Sequence, residues 1–232
     1  MKFMISIMAS VLVVSFTCDT PKYKGTGNDS IANQESTRAD PMTPPSPSPE
    51  PLSEEICIDR LAEIRVTSIK KGSAAAIPEY QSLLGNGCDH DGVRMAYGLA
   101  LAGSDRFHEA VEQYRLVTKR NPRHWAAHWT LAQTLIIELG DFEEGLKETK
   151  RSRELDDLGD VGHLYDYYLG RAFEGMDKAQ EALTHFRRFE KLQSKINKND
   201  EKLIDTRKRI AKLEVTLENS GIRDAALVTA RN

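Results

Sequence analysis

The strongest constraint on how this chain can fold is that it repeats itself. Counting from Asp91, Gly98 stands eighth, Ala110 twentieth, Tyr114 twenty-fourth and Pro122 thirty-second. Counting from His163, Gly170 stands eighth, Phe173 eleventh, Ala182 twentieth and Phe186 twenty-fourth. Self-similarity at a period of about 34 residues marks stacked units, none of which can bury its apolar face alone. Within each period the apolar residues recur at helical spacing. Two small residues let a pair of helices approach closely, an aromatic is expected to fill the space between units, and a proline stops the second helix.

A unit beginning at Trp125 links the two. Leu131, Ala132 and Leu135 fit its first helix. One extra residue, expected in the turn at Leu139-Gly140-Asp141, brings Gly145 to the small position, while Thr149 stands where the aromatic belongs. Stepping back thirty-four residues from Asp91 puts Cys57 first, Ala76 twentieth, Tyr80 twenty-fourth and Cys88 thirty-second. Ile64 replaces the small residue there, so this segment reads either as a degenerate first unit or as an unrelated helical hairpin.

The spaced glycines, alanines, aromatics and Pro122 resemble the tetratricopeptide repeat family, over roughly residues 57–196. Together with the N-terminal features described below, they resemble bacterial lipoproteins of that family. The resemblance implies an all-α solenoid of about three to four helix pairs with a C-terminal capping helix, following a disordered Pro-rich tether. It also implies a non-catalytic scaffold that binds a partner protein or peptide in a groove lined by the first helix of each unit. Carried over position by position, the groove takes Met95, Leu99, Arg123 and His124 from the Asp91 unit. Trp129, Gln133 and Ile136 come from the middle unit, and Tyr167, Arg171 and Glu174 from the last. Trp, Tyr and Arg are the types that most often carry interface energy.

The ends read differently. Residues 1–17 form an export signal: Lys2 is followed by an apolar run through Phe16 that is shorter than the roughly 20 residues a spanning helix needs. Ser15-Phe16-Thr17-Cys18 resembles a lipobox, although Ser15 and Thr17 depart from its pattern and Val14 sits one place early. Lipidation of Cys18 would anchor the protein in the membrane of the bacterial cell envelope. Soluble secretion and a retained anchor are the other readings. Residues 18–52 form a Pro/Ser-rich tether; the stretch DPMTPPSPSPEP holds six of the nine prolines and cannot bury enough surface to fold. The repeat domain spans 53–196, and 197–232 form a capping helix and tail.

Cys57 and Cys88 fall at the start of one helix and the end of its partner, which in a hairpin lie at the same end. A disulfide between them is geometrically reasonable and suits an exported chain. A metal site with His90 is the competing reading, but two cysteines and one histidine fall short of a closed structural zinc set.

No phosphate loop and no recognisable Ser, His and Asp spacing is present, so no cofactor and no catalytic activity is expected. Lys+Arg 32 against Asp+Glu 35 gives a net charge of −3, which excludes a dedicated nucleic-acid binder. The sharpest chemical candidate is His124 and His128, four apart on one helix face between Trp125 and Trp129. With Arg171 they give an alternative function as a small-ligand or metal-binding module. Finally, Phe189, Ile196, Leu203, Ile210 and Leu217 recur every seven residues, with Leu192 and Leu213 at the complementary position, interrupted by Asn199 and Thr206. That stripe reads as a cap on the last unit, with self-association through it as the second reading.

Overall fold

The computed structural model describes residues 52–219. Residues 1–51 and 220–232 lie outside the described residues, and with them the export signal, Cys18, nearly all of the tether and the tail. The described residues form nine α-helices and no strand: α1 (Glu54–Lys71), α2 (Ser73–Gly85), α3 (Asp91–Ala102), α4 (Phe107–Arg120), α5 (Trp125–Thr134), α6 (Phe142–Leu155), α7 (Leu164–Gly175), α8 (Ala179–Ile196) and α9 (Glu201–Asn219). Each helix packs against the next in sequence, giving four successive hairpins closed by α9. Among the described residues no helix is long and apolar enough to cross a membrane.

The local signals are ordinary ones. Ser53 caps α1 by accepting the Ile56 N–H, and Asp141 caps α6 by accepting that of Glu144. Acidic residues sit in the first turn of both helices, where the helix dipole favours them. Gly72, at φ +91°, makes the whole turn between α1 and α2, a conformation cheap only for glycine.

The hairpins close where the repeat places its glycines. A Cβ on Gly98 would stand 2.4 Å from Cε1 of Tyr114, and one on Gly170 would stand 2.5 Å from Cδ1 of Phe186. Both rings are fully buried, so neither can yield to a larger neighbour. In the middle hairpin the close approach is reversed: the glycine is on the second helix, and a Cβ on Gly145 would meet Cγ1 of Ile136. Thr149, at the aromatic's place, is buried and turns its hydroxyl back to the Gly145 carbonyl at 2.7 Å. The first hairpin has no small–aromatic pair. Ile64 is buried in the core, and Tyr80 reaches forward to Tyr97 instead, with ring centroids 6.0 Å apart.

The extra residue of the middle unit is in the helix and not in the turn where the repeat count put it. It is absorbed by a π-helical turn, Leu135–Leu139, that continues α5 and ends at Gly140 in the left-handed region, φ +68°. The turn rotates everything after it by about one residue. Leu135 consequently belongs to the first of two apolar clusters, shared with α1–α4, while Ile136 belongs to the second, shared with α6–α9.

The heptad stripe is not one continuous ridge. The chain breaks after Ile196, and Asp200 caps α9 by accepting the Leu203 N–H. Phe189 of α8 and Leu203, Ile210, Leu213 and Leu217 of α9 are all buried within the chain. Thr206, expected to interrupt the stripe, is fully buried with them. The stripe acts largely as an intramolecular cap, while Leu192 and, at the break, Ile196 stay exposed.

Cys57 and Cys88 are joined by a disulfide across 31 residues, with Cα atoms 5.6 Å apart. The bond ties the start of α1 to the segment entering α3. In the chain-entropy picture a loop of that length contributes roughly 3–4 kcal/mol. Reduction is therefore expected to loosen the α1–α2 hairpin before the rest. Hydrogen exchange with and without reductant checks this: amides of residues 54–85 should lose protection while those of α4–α8 keep theirs.

Candidate protein-binding face

The first helices α3, α5 and α7, with the connection before α5 and the π turn after it, carry the residues that the repeat register assigned to a groove. The structure uses many of them internally. Trp129 of α5 packs edge-on against Tyr165 and Tyr168 of α7, at centroid distances of 5.0 and 4.8 Å. Gln133 donates to the Tyr168 hydroxyl at 2.9 Å. Burial pushes that hydroxyl up to about 12, with Tyr167 adding to the shift and the Gln133 bond opposing it, so it stays neutral. Trp129 and Gln133 thus fasten one unit to the next and show only part of their surface.

The last unit is more thoroughly committed. Tyr167, assigned to the groove, is 6% exposed. Its hydroxyl donates to Asp205 of α9 at 3.1 Å and accepts from Arg171 at 3.1 Å. Glu174 pairs with Arg209 at 2.6 Å, and Arg209 also binds Asp205 at 2.7 Å. Burial alone would raise the Asp205 carboxyl, but the Arg209 and Tyr167 hydrogen bonds and the nearby arginines hold it below its usual range. The cap therefore occupies the groove positions of α7 with matched charges.

Ile136 was misplaced by register. It is 1% exposed and lies against Gly145, because the π turn rotates it into the core. Ile137 and Glu138 take the partly exposed places that Ile136 vacates. Glu138 forms no hydrogen bond or ion pair among the described residues. Partial burial raises its carboxyl above the usual range, Asp105 raises it further, and Arg171 opposes both. The signal for this residue was in the sequence, as the one-residue surplus of the middle unit; placing the surplus inside the helix would have found it.

The positions left open are in the Asp91 unit. Leu99 is 55% exposed, and Met95, one turn earlier, packs partly against the first cluster. Arg123 is exposed in the connection to α5.

The histidine candidates are spoken for separately. His124 caps α5: its Nδ1 accepts the Ala127 N–H at 3.1 Å, and burial lowers its pKa. His128 is buried, with Nε2 on the Pro122 carbonyl at 3.1 Å and Nδ1 2.5 Å from a Glu148 carboxyl oxygen. Arg171 serves Tyr167 and Asp205. The three do not converge, and among the described residues no group of three His, Cys, Asp or Glu side chains could hold a metal.

The His128–Glu148 contact belongs to a repeated device that single motifs did not reveal. The corresponding residues pair in all three clear units: Arg94 with Gln113 at 2.7 Å, His128 with Glu148, and Asp166 with His185 at 2.7 Å. Each links the first turn of one helix to the middle of its partner. Glu148→Ala should cost about 1–3 kcal/mol by leaving a buried ring nitrogen unpaired. Glu148→Gln should keep most of the stability, and urea denaturation of both variants checks the difference.

The sequence matches no family model and no curated protein. Solved structures share its fold. The crystal structure of MamA protein superposes with a TM-score of 0.60 at 14% identity, over 77% of this chain and 90% of that one. YrrB, described as a TPR protein with an unusual peptide-binding site, gives 0.55 at 15% identity, over 66% and 74%. A Podosopora anserina putative kinesin light chain with nearly identical TPR-like repeats gives 0.54 at 13% identity, over 72% and 88%. The paired helices, the glycine–aromatic contacts and these likenesses agree: the described residues have the fold of a tetratricopeptide-type solenoid with a C-terminal capping helix.

Proposed function

We propose that this chain is a non-catalytic scaffold that binds a segment of another protein on its first-helix face, held at the bacterial cell envelope by its N-terminal region. The observation that carries this reading is Leu99. It is 55% exposed, one turn from the partly buried Met95, on the face a tetratricopeptide fold offers to ligands. Most of the rest of that face is trimmed by internal pairing, so the open apolar surface is local. YrrB's peptide-binding site on the same fold lends support by analogy. The envelope reading is supported by the export-signal and lipobox resemblances and by the Cys57–Cys88 disulfide, which suits an oxidising compartment.

Affinity capture from envelope fractions, comparing wild type with Leu99→Asp, tests the face. A specific protein partner should be retained by the wild type and reduced at least about tenfold by a charge placed in an apolar contact. Equal retention by both would remove the reading. Metabolic labelling with a fatty-acid analogue tests the anchor: the chain should take up label, and Cys18→Ala should abolish uptake.

A further inference from the structure

In the C-terminal half of α8, cations and aliphatic residues share one side of the helix. The buried residues Phe186, Phe189 and Gln193 line the side turned to the core. Arg188, Lys191, Leu192, Lys195 and Ile196, spaced three and four apart, run along the opposite side, and Lys198 follows just past the helix end. All six are exposed, Leu192 by 44% and Ile196 by 68%. Among the described residues none of the four cations is held in an ion pair or a hydrogen bond. The other charges of this half of the helix are engaged: Arg187 binds Glu214 and Glu190 is bound by Arg207, each at 2.8 Å. Of the carboxylates next along the chain, Asp200 caps α9 and Glu201 stays without a partner. Glu181 is exposed two turns before Arg188.

The preceding second helix adds to this charge. Lys150 of α6 has its Nζ 5.9 Å from the centre of the Phe173 ring, and that ring stacks on His185 of α8 at 5.4 Å. Lys147, one turn earlier, is exposed and without an ion pair. The whole chain carries −3, so a local excess of positive charge does not follow from composition. Cations alone would make an ordinary solvated helix face. Two aliphatic side chains left in water among them, one turn apart, are what solvation does not account for.

We infer that the C-terminal half of α8 is a membrane-contact surface, which takes the phosphates of an anionic phospholipid bilayer on its four cations and lets Leu192 and Ile196 enter the headgroup layer. The inference rests on the envelope-location reading, which puts such a bilayer within reach, and it does not require a lipid on Cys18. A helix face of lysines flanking aliphatic residues is the pattern that lies in a membrane interface. Three of the four cations are lysines. Their compact charges on long, mobile stems can follow a fluid phosphate surface, whereas fixed carboxylates on a folded partner favour the planar guanidinium of arginine. As α8 is the second helix of its hairpin, the first-helix face is left to a protein partner.

Vesicle co-sedimentation of the full-length protein carrying Cys18→Ser tests this. One set of vesicles is phosphatidylcholine alone, the other phosphatidylcholine and phosphatidylglycerol in equal parts. Binding to the anionic vesicles should be at least about tenfold stronger and should fall steeply as salt is added. Lys191→Gln/Lys195→Gln should weaken it about tenfold, and Leu192→Ser/Ile196→Ser several-fold. These side chains are exposed, so thermal unfolding should match the parent. Hydrogen exchange locates the contact: amides of residues 188–198 should gain protection on anionic vesicles and not on neutral ones, an effect that binding through the N-terminal region does not produce. No charge dependence in either binding or exchange, or variants indistinguishable from their parent in both, would overturn the inference and leave the Cys18 labelling result as it stands. Binding to soluble polyglutamate without binding to vesicles would also overturn it, in favour of an acidic protein partner.

Discussion

The close approach of paired helices at glycine is the contact on which the rest depends. Gly98 against Tyr114 and Gly170 against Phe186 set the spacing of their hairpins, and both rings are fully buried by it. An aromatic of this size contributes about 2–3 kcal/mol by burial, and it can do so here only because the facing residue has no side chain. Each hairpin then offers the next a surface of fixed shape. Units with that geometry stack in one direction, and interaction between neighbours replaces a single central core.

Departures from the rule show how it can be met otherwise. In the middle hairpin the glycine moves to the second helix and Ile136 fills the gap from the first. That exchange is coupled to the π turn, which brings Ile136 inward and places consecutive residues, Leu135 and Ile136, in different apolar clusters. α5 and its π turn thus lie between the two clusters and contribute to both, Leu131 and Leu135 to the first and Trp129 and Ile136 to the second. In the first hairpin there is neither a glycine facing an aromatic across the helix contact nor a π turn. Ile64 packs in the core, and the disulfide holds the hairpin's open end against the solenoid.

The first-helix face is shaped by subtraction. Trp129 and Gln133 are drawn into the contact with α7, and Tyr167, Arg171 and Glu174 are matched to Asp205 and Arg209 of the cap. Among the assigned positions, those left open are Leu99, with the partly buried Met95 one turn earlier, and Arg123. A face that is neutralised over most of its length and open at one place is suited to recognising a short segment. The same economy governs the polar pairs at the helix contacts. Arg94–Gln113, His128–Glu148 and Asp166–His185 solve one recurring problem, a polar group at the helix–helix contact, with three different chemistries.

The fold was legible because its determinants are local and repeat: glycine and aromatic at fixed spacing, proline or glycine at helix ends, apolar residues at helical period. The pairing of Cys57 with Cys88 was legible for the same reason, since hairpin geometry places both at one end. The binding face was legible only in part, because exposure is a property of neighbours. No local signal distinguishes Tyr167, covered by a helix that begins more than thirty residues later, from Leu99, which is 55% exposed. Nor does the count of residues in a unit say whether a surplus one goes into a turn or into a helix. The sequence by itself determined the helical hairpins from Asp91 onward and their order, and bounded their number at about three to four. The tertiary structure alone decided that the surplus residue becomes a π turn and which face residues stay open, because both follow from packing between units that are distant in the chain.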